Sequence, residues 1–192
     1  AVPMVSDLTA KVKAVGIMTW QEDIGTFTIQ ATLNPVSPSV GTVGLIVTVE
    51  GYGFRGNEGI RIDFGTTKSI TVTSATPAGY FMTTFTIDTQ PEGITTVRAT
   101  GLNSNSNPDN TFEIKANIFL STPTIGTVGT IVTIKGNGYG ASELVVIGLG
   151  WTPTITTIST DASGSFATTF TVDTQPIDVS WNVKLVVATG TT

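Results

Sequence analysis

The chain has 192 residues and a net charge of −5, and only 12% of its residues are charged. Its nine Lys and Arg residues are scattered, which argues against nucleic acid as a partner, because a phosphate-binding surface needs clustered basic residues. Cys and His are both absent, which excludes disulfides, the usual zinc ligands and every Ser-His-Asp or Cys-His site. No apolar run approaches the roughly 18 residues of a membrane span.

The composition favours strands. Thr accounts for about one residue in five, and Val and Ile are frequent. These β-branched residues suit pleated, half-exposed strands. Outward-facing Thr could carry O-linked glycans, although cross-strand Thr pairing explains its abundance equally well. The chain has no Asn-x-Ser/Thr sequon.

A long internal repeat divides the chain. The stretch Gly-Thr-Val-Gly-Leu-Ile-Val-Thr-Val-Glu-Gly-Tyr-Gly-Phe at 41–54 returns 85 residues later, at 126–139, as Gly-Thr-Val-Gly-Thr-Ile-Val-Thr-Ile-Lys-Gly-Asn-Gly-Tyr. Residues 83–91 return at the same offset as 168–176. The sequence therefore predicts one module used twice, with domains at 25–109 and 110–192.

Residues 1–24 form a separate N-terminal segment. At the same offset, residues 12–16 fall on 97–101, at the end of the first module. Two interpretations stay open: the last strand of a preceding repeat, or an N-terminal extension. A strand over Leu8–Val15 needs an edge to pair with, and we expect that edge in this chain or in a neighbouring one.

The first strand of each module shows a period of two, which predicts one buried and one exposed face. Its predicted inward positions are Phe27, Ile29, Ala31 and Leu33 in the first module and Phe112, Ile114, Ala116 and Ile118 in the second.

The repeated stretch predicts a second strand, followed by a Gly-x-Gly turn or bulge. Its predicted inward residues are Leu45, Val47 and Val49, and Val132 and Ile134 in the copy. Its outward positions include Glu50, which becomes Lys135 in the copy.

Further strands follow at 60–64 and 66–74, then at 145–149 and 152–160, with the Thr-rich member of each pair predicted to lie at a sheet edge. The next inward rows are Phe81, Phe85 and Ile87, and Phe166, Phe170 and Val172. An Asp-Thr-Gln-Pro corner leads to the last strands, at 94–100 and 179–189. The Asn/Ser-rich residues 103–108 are predicted to link the modules.

About six or seven short strands in each module, without a helical segment, predict an all-β fold of tandem Ig-like antiparallel β-sandwich domains. The Cys…Trp…Cys pattern of antibody domains is missing. Trp20, Trp151 and Trp181 each lack a counterpart in the other copy, so none is the shared core residue of the module.

The order of motifs over about 25–192 resembles the tandem bacterial and archaeal Ig-like repeats of the IPT/TIG kind. The resemblance rests on three motifs in order: Gly-Thr-Val-Gly-x-x-Val-Thr-[Val/Ile]-x-Gly-x-Gly-[Phe/Tyr], then Asp-x-x-Gly-x-Phe, then Thr-Phe-Thr-[Ile/Val]-Asp. The first copy departs from the second motif, with Pro-Ala-Gly-Tyr-Phe at 77–81. The resemblance implies S-layer and other cell-surface proteins, and it brings no catalytic or ligand residues with it.

Carboxylates supply the first candidates for chemistry. Asp88 and Asp173 recur at the same corner, where turn hydrogen bonding explains them better than catalysis, because neither has a second acid at glycosidase spacing. Calcium is the stronger alternative, since it takes oxygen ligands and rigidifies extracellular modules. The candidate calcium ligands are the loop carboxylates Glu58, Asp63, Asp109 and Asp161.

Two further motifs have a structural and a functional interpretation. The Gly-x-Gly pairs follow a strand without opening a helix, so they fail the context of a dinucleotide site. Three aromatic residues that we expect to be exposed, Tyr52, Tyr139 and Trp151, are candidates for stacking on sugars, and stapling of a loop to the sandwich is the alternative.

The sequence therefore predicts a non-enzymatic structural segment of an extracellular cell-envelope protein, most consistent with part of an S-layer. Sparse surface charge fits self-association, with Ile46, Ile131 and Val146 as candidate contact points, and the expected partners are neighbouring domains of a larger protein. The alternative is an adhesin stalk or a carbohydrate-binding accessory module.

Overall fold

The structure is a computed structural model, and it describes residues 8–176 and 186–191. Every regular element in those residues is a β-strand. They include no helix with the length and apolar character needed to cross a membrane. In chain order the strands are β1 (Leu8–Val15), β2 (Glu22–Ile29), β3 (Thr32–Leu33), β4 (Val40–Gly41), β5 (Ile46–Tyr52), β6 (Gly59–Phe64), β7 (Thr67–Ser74), β8 (Phe81–Thr86), β9 (Gly93–Gly101), β10 (Asp109–Ile114), β11 (Asn117–Thr122), β12 (Ile131–Asn137), β13 (Leu144–Leu149), β14 (Thr152–Ser159), β15 (Phe166–Thr171) and β16 (Val186–Thr191).

The chain folds into two compact units. Unit 1 comprises Ala1–Ser39, Ile46–Phe85 and Thr95–Phe112. Unit 2 comprises Val40–Leu45, Thr86–Ile94 and Glu113–Thr192. The predicted domain limits at 24/25 and 109/110 describe the period of the repeat, and they stay a prediction.

Unit 1 contains a β-sandwich and a separate hairpin. The sandwich consists of the sheets β3-β5-β8 and β10-β9-β6-β7. The ring centroid of Phe64 on β6 lies 5.2 Å from that of Phe85 on β8 and 5.9 Å from that of Phe112 on β10. The two sheets therefore pack face to face over an aromatic core. The hairpin consists of β1 and β2, which pair antiparallel and have no other strand neighbour among the described residues.

Unit 2 contains the sheets β11-β12-β15 and β14-β13-β16. Its core cluster repeats positions of the first sandwich and consists of Val132, Ile134, Tyr139, Val145, Ile147, Leu149, Phe166 and Phe170. The same unit includes a short parallel pair, in which Val40 and Gly41 of β4 lie opposite Glu113 and Ile114 of β10.

The repeated sequence gives repeated burial. The strands β8 and β15 have the same alternation of buried and exposed side chains, as do β7 and β14. Val47 and Val49 are fully buried, whereas Ile46 is exposed, because a strand with one face on a core buries every second residue. The predicted edge strands β7 and β14 do lie at the ends of their sheets. The predicted all-β, tandem Ig-like sandwich fold is confirmed.

The glycines after the repeated strand have two separate roles. A Cβ on Gly51 would lie 2.4 Å from Cε1 of Phe81, and one on Gly136 would lie 2.3 Å from Cε1 of Phe166. Gly53 and Gly138 have positive φ values of 75° and 68°, a conformation that costs a residue with a Cβ more than it costs glycine. Close approach and backbone conformation together explain why Gly-x-Gly recurs.

The predictions about the first strand of each module and about the linker are wrong. In the second module the predicted strand divides into β10 and β11, and Ala116 is exposed. Residues 25–33 form two strands rather than one, and Phe27 and Ile29 are exposed instead of buried. The reason is that β2 pairs only with β1 among the described strands, so no second layer covers its apolar side chains. Residues 103–108 do not form a linker. They close the β9–β10 hairpin, where the Ala99 N–H donates to the Pro108 carbonyl and the Gly101 N–H to that of Ser106.

The three tryptophans and the last strand were predicted from the sequence to differ between the modules. Trp20 and Trp151 are largely exposed, in agreement with their lack of a counterpart, while Trp181 lies outside the described residues. The last strand was predicted at 179–189. Residues 179–185 also lie outside the described residues, and residues 186–189 belong to β16.

Candidate functional site

The repeated Asp-Thr-Gln-Pro corner holds its aspartates by local hydrogen bonds. Gln90 Nε2 donates to Asp88 Oδ1 over 2.8 Å. Asp173 accepts from the Thr152 hydroxyl and, over 2.5 Å, from Gln175 Nε2. These two donors, with Thr152 first, lower the pKa of Asp173. The geometry is that of a turn that ties the corner to the start of β14.

Glu58, one of the four candidate calcium ligands, is buried and accepts four hydrogen bonds. Its Oε1 accepts from Arg55 N at 2.7 Å and from the Ser104 hydroxyl at 2.8 Å, and its Oε2 accepts from Asn103 N and Ser104 N at 3.0 and 2.8 Å. Burial raises the pKa of this carboxyl, but the four donors outweigh burial and hold the pKa below its usual value. Glu58 therefore anchors the β9–β10 loop.

Asp63 lies buried in β6 and is neutralised by cations on the surface. Arg61 Nε and Nη2 donate to its two oxygens at 3.0 and 3.2 Å, and Ser69 N donates to Oδ1 at 2.9 Å. Lys68 Nζ lies 3.5 Å from Oδ2. Burial raises the pKa of Asp63, and the Ser69 amide and the cations bring it below the usual value.

The other two candidate ligands lie at the surface. Asp109 Oδ2 is 2.7 Å from Arg98 Nη2, across the β9–β10 pair. Asp161 Oδ1 accepts from the hydroxyl and amide of Ser163 and from the amide of Ser165, and the Ser163 hydroxyl is the first cause of its lowered pKa. This is an Asx-type turn before β15.

The structure does not bring the four carboxylates together. Glu58, Asp63 and Asp109 belong to unit 1 and Asp161 to unit 2. Residues 8–176 and 186–191 contain no group of three or more acidic side chains placed to hold a metal ion. Calcium binding by the loop carboxylates stays a prediction.

The candidate sugar-stacking aromatics have different environments. Tyr139 is buried, with its ring 5.4 Å from that of Phe166, and burial raises its pKa to about 12. The expectation that Tyr139 is exposed is wrong, because it fills the core position of Phe54 in the first module. Tyr52 is exposed and lies 5.0 Å from the ring of Tyr80. Trp151 is exposed in unit 2.

A shallow depression of about 460 Å³ lies beside the end of β14 and the start of β15, lined by residues 158–161 and 165–167. Asp161 is the carboxylate in this wall, and its Oδ1 already accepts three hydrogen bonds. The depression offers no set of converging polar groups of the kind that fixes a small ligand.

The β1–β2 hairpin carries exposed apolar side chains on both of its strands. Its exposed apolar side chains are Val12, Val15, Ile24, Phe27 and Ile29. By the register of the hairpin, Val12, Phe27 and Ile29 share one face, and Val15 and Ile24 lie on the other. Isolated exposed aliphatic residues are ordinary, but an aromatic and two aliphatic side chains on one face of a two-stranded hairpin are a candidate contact surface.

This hairpin repeats the β9–β10 hairpin of the first sandwich, although the repeat in the sequence indicated this only for residues 12–16. The Gly16 N–H donates to the Gln21 carbonyl over 2.9 Å, as the Gly101 N–H donates to that of Ser106 over 2.9 Å. The left-handed residue of the turn is Trp20 in one and Asn105 in the other, both with φ of 56°. Residues 26–29, Thr-Phe-Thr-Ile, correspond to 111–114, Thr-Phe-Glu-Ile. An alignment of 8–29 with 93–114 was the signal that could have revealed this.

No protein-family model matches the chain, and no curated protein matches it, so the resemblance to IPT/TIG repeats stays a prediction. Among solved structures, the BSP domain of a biofilm associated protein shares 17% identity over 80% of this chain and 26% of that one, with a TM-score of 0.29. A Ca2+-stabilized adhesin with which an Antarctic bacterium binds ice shares 13% over 96% and 55%, with a TM-score of 0.27. The α2-macroglobulin of E. coli shares 8% over 96% and 19%, with a TM-score of 0.37.

The chain thus spans well under two thirds of each of these three proteins. All three TM-scores lie below 0.5, so these likenesses carry no weight for the function of the chain. The fold is established by the strand order and core packing of the chain itself.

Proposed function

We propose that the chain is a non-enzymatic structural segment of an extracellular cell-envelope protein, and that it contributes to an S-layer lattice. The single observation that carries this proposal is the exposed apolar β1–β2 hairpin, whose counterpart β9–β10 is built into a sandwich. A surface of this kind is suited to contact with another protein surface. The proposed role is mechanical, with rigid sandwiches as spacers and strand edges as contacts.

The chemistry of the carboxylates supports a structural role. Glu58 and Asp63 bind backbone amides and cations of their own unit, and Asp88 and Asp173 hold corners. Groups that stabilise turns in this way are not poised for proton transfer, which requires access to a substrate atom.

The surface composition supports association. Only 12% of the residues are charged, and low surface charge weakens the repulsion that keeps proteins dispersed. Of the candidate contact points, Ile46 and Ile131 are exposed, while Val146 is partly buried.

Electron microscopy of the parent protein in its cell envelope tests the proposal, with and without a calcium chelator. A periodic two-dimensional array is the expected result, and its loss on chelation would identify calcium as part of the lattice. Dispersed thin rods under both conditions would exclude the lattice and favour a stalk.

A binding module is the second candidate, either an adhesin stalk or a carbohydrate-binding accessory. The observation in its favour is the ring contact of the exposed Tyr52 with the partly buried Tyr80, together with the exposed Trp151, because aromatic faces stack on sugars. Neither Tyr has an aromatic counterpart in the second module, where Asn137 and Ser165 stand instead. A glycan-array signal that Tyr52→Ala and Trp151→Ala abolish would promote this candidate. The absence of any signal would remove it.

A further inference from the structure

The corner after β15 brings a hydroxyl, a carboxylate and a side-chain amide into mutual contact within unit 2. The hydroxyl of Thr152, the first residue of β14, donates to Asp173 Oδ2. Gln175 Nε2 donates to Thr152 Oγ1 over 3.0 Å and to Asp173 Oδ1 over 2.5 Å. Each of the three side chains is therefore hydrogen-bonded to the other two.

These three groups have the chemistry of an acyl transfer. The hydroxyl is a nucleophile, Cδ of Gln175 is an electrophile, and the carboxylate is a base in contact with the hydroxyl. Because Cδ is bonded to Nε2, it lies no more than about 4.3 Å from Thr152 Oγ1. A small rotation of the amide brings the two atoms to the separation of about 3–3.5 Å from which a bond forms.

The backbone amide of Trp151 adds a fourth group. Its N–H donates to Gln175 Oε1 over 2.9 Å. Negative charge collects on this oxygen when a nucleophile attacks Cδ, and a fixed backbone donor at about 2.7–3.1 Å is the arrangement that stabilises such an oxyanion. The same bond orients the amide, so that Nε2 is the atom that faces Asp173.

The internal repeat keeps the side chains of this set. Thr152, Asp173 and Gln175 have identical residues 85 positions earlier, whereas Trp151, which contributes its backbone N–H, does not. The four counterparts in the sequence are Thr66, Thr67, Asp88 and Gln90. The Thr that matches Thr152 is kept although both of its neighbours in the chain differ between the copies. The repeat thus preserves the residue types that the chemistry requires.

We propose that Thr152 and Gln175 form an intramolecular ester, with Asp173 as the proton carrier. The Thr152 oxygen attacks Gln175 Cδ, and its proton moves to the Asp173 carboxylate. The tetrahedral intermediate carries its charge on Oε1, where the Trp151 N–H donates. The C–N bond of the amide then breaks, Asp173 hands the proton to Nε2, and the nitrogen leaves as ammonia. One C–O bond replaces one C–N bond, without an oxidant or a co-reactant.

Asp173 can carry this proton without access to an outside substrate, because the two atoms that exchange the proton already contact it. Hydrogen bonds from Thr152 and then Gln175 lower the pKa of Asp173, so the carboxylate is ionised at neutral pH and can accept a proton. At this pH the released ammonia is protonated and diffuses away, which opposes the reverse reaction. The bond forms once in each chain, so the role is compatible with a non-enzymatic protein.

The ester joins the two sheets of unit 2. β14 belongs to the sheet β14-β13-β16, whereas the corner follows β15 of the sheet β11-β12-β15. A covalent bond between residues 152 and 175 closes the chain between them into a loop, and it limits the conformations of the unfolded chain as a disulfide does. The chain has no Cys, and the ester gives it a covalent cross-link that needs none.

Intact-mass spectrometry of the purified full chain tests the proposal. The ester releases ammonia, so the native chain should weigh about 17 Da less than its sequence mass. Thr152→Val removes the nucleophile and should regain this mass, beyond the change due to the substitution. Thr154→Val, which changes an exposed Thr of the same strand, should keep the loss. A native chain at its full sequence mass, or a Thr152→Val variant that regains nothing, would overturn the proposal.

A peptide digest locates the bond. Cleavage before each Asp separates residues 109–160 from residues 173–177. With the ester the two peptides stay joined, and mild base releases them from each other. Ammonia lost at Asn137-Gly138 through a cyclic imide would instead leave the 173–177 peptide free, and this result would contradict the ester.

A third variant tests the proton carrier. Freshly purified Asp173→Asn should be largely without the cross-link, because removal of a general base slows such a step by about 10²–10⁴-fold. Circular dichroism that matches the native chain shows that the variant is folded. Complete cross-linking of Asp173→Asn would exclude Asp173 as the proton carrier.

The ester goes beyond the lattice function, and the two can fail separately. A cross-linked chain without an envelope array would support the ester and exclude the lattice. An envelope array built from a chain at its full sequence mass would support the lattice and exclude the ester.

Discussion

The hairpins β1–β2 and β9–β10 have the same turn and the same strand register, but they lie in different environments. The turn hydrogen bond is 2.9 Å in both, and both turns place one residue at φ of 56°. Phe27 is exposed and Phe112 is buried, although each stands in a Thr-Phe-x-Ile strand. The local sequence is therefore sufficient for the hairpin, while burial depends on which strands lie beside it.

The two hairpins also differ in how their loops are anchored. In β9–β10, the buried carboxylate of Glu58 accepts from the amides of Asn103 and Ser104 and from the Ser104 hydroxyl. The loop of β1–β2 has Thr19 in place of Ser104, and its Thr19 Oγ1 accepts only from the Gln21 amide, at 3.5 Å, among the described contacts. A long-range anchor to the sandwich thus distinguishes the built-in hairpin from the separate one.

The strongest test of the comparison removes the same ring from each hairpin. Phe112→Ala should lower the free energy of unfolding of the first sandwich by about 3–5 kcal/mol, because it leaves a cavity beside Phe64. Phe27→Ala should change it by no more than about 0.5 kcal/mol, since the ring is exposed. Urea unfolding followed by circular dichroism, at concentrations too low for association, measures both. Equal losses would mean that β2 is covered in solution.

The anchor of the loop is the next target. Glu58→Ala leaves the buried amide and hydroxyl of Ser104 without their acceptor, and we expect a loss of about 3 kcal/mol. Glu143 occupies the equivalent place in unit 2 and accepts from the Gly140 amide at 2.7 Å. Glu143→Ala should therefore cost less, about 1–2 kcal/mol. Urea unfolding of each variant measures the loss of unfolding free energy. A larger loss for Glu143→Ala than for Glu58→Ala would show that Glu58 is not the main anchor.

Glycine substitutions sharpen the contrast between packed and open strands. Gly51→Ala forces a Cβ to within 2.4 Å of Phe81 Cε1 and should cost about 1–3 kcal/mol through overpacking. Gly25→Ala on β2 meets nothing within 4 Å and should stay within about 0.5 kcal/mol of the native chain. Thermal unfolding of the two variants side by side is the measurement, and a large shift for Gly25→Ala would contradict an open β2.

The smallest effect is a pH dependence of stability to which the two buried carboxylates of unit 1 contribute. The pKa values of Glu58 and Asp63 are lower in the folded chain than their usual values. Their stabilisation is therefore present above a pH of about 4.5 and lost as the pH falls through the folded pKa values. Urea midpoints from pH 7 to pH 2 should decline in acid, and Glu58→Gln should make that decline shallower. An unchanged slope in this variant would exclude Glu58 as a contributor.

Much of the fold was predictable because it depends on local patterns. Alternation of apolar and polar residues identified β5 and β8 and their inward residues Val47, Val49 and Phe85. The Gly-x-Gly motif was assigned correctly to a turn or close approach, since Gly51 and Gly53 serve one role each. These features depend on strand period and glycine geometry, which a single sequence displays directly.

The errors have a common physical origin. The exposure of Phe27 and the burial of Tyr139 both depend on which segments distant in the sequence lie beside them. The same holds for Glu58, whose carboxylate suggests a calcium ligand until its partners 45 and 46 residues away are known.

The sequence by itself determined the module, its repetition, the strands and the absence of Cys and His, because composition and period act within a few residues. The tertiary structure alone decided which strand lies beside which, and therefore that two nearly identical Thr-Phe-x-Ile segments have opposite environments. Burial is a property of the neighbouring layer rather than of the strand, so a strand's own residues do not specify it.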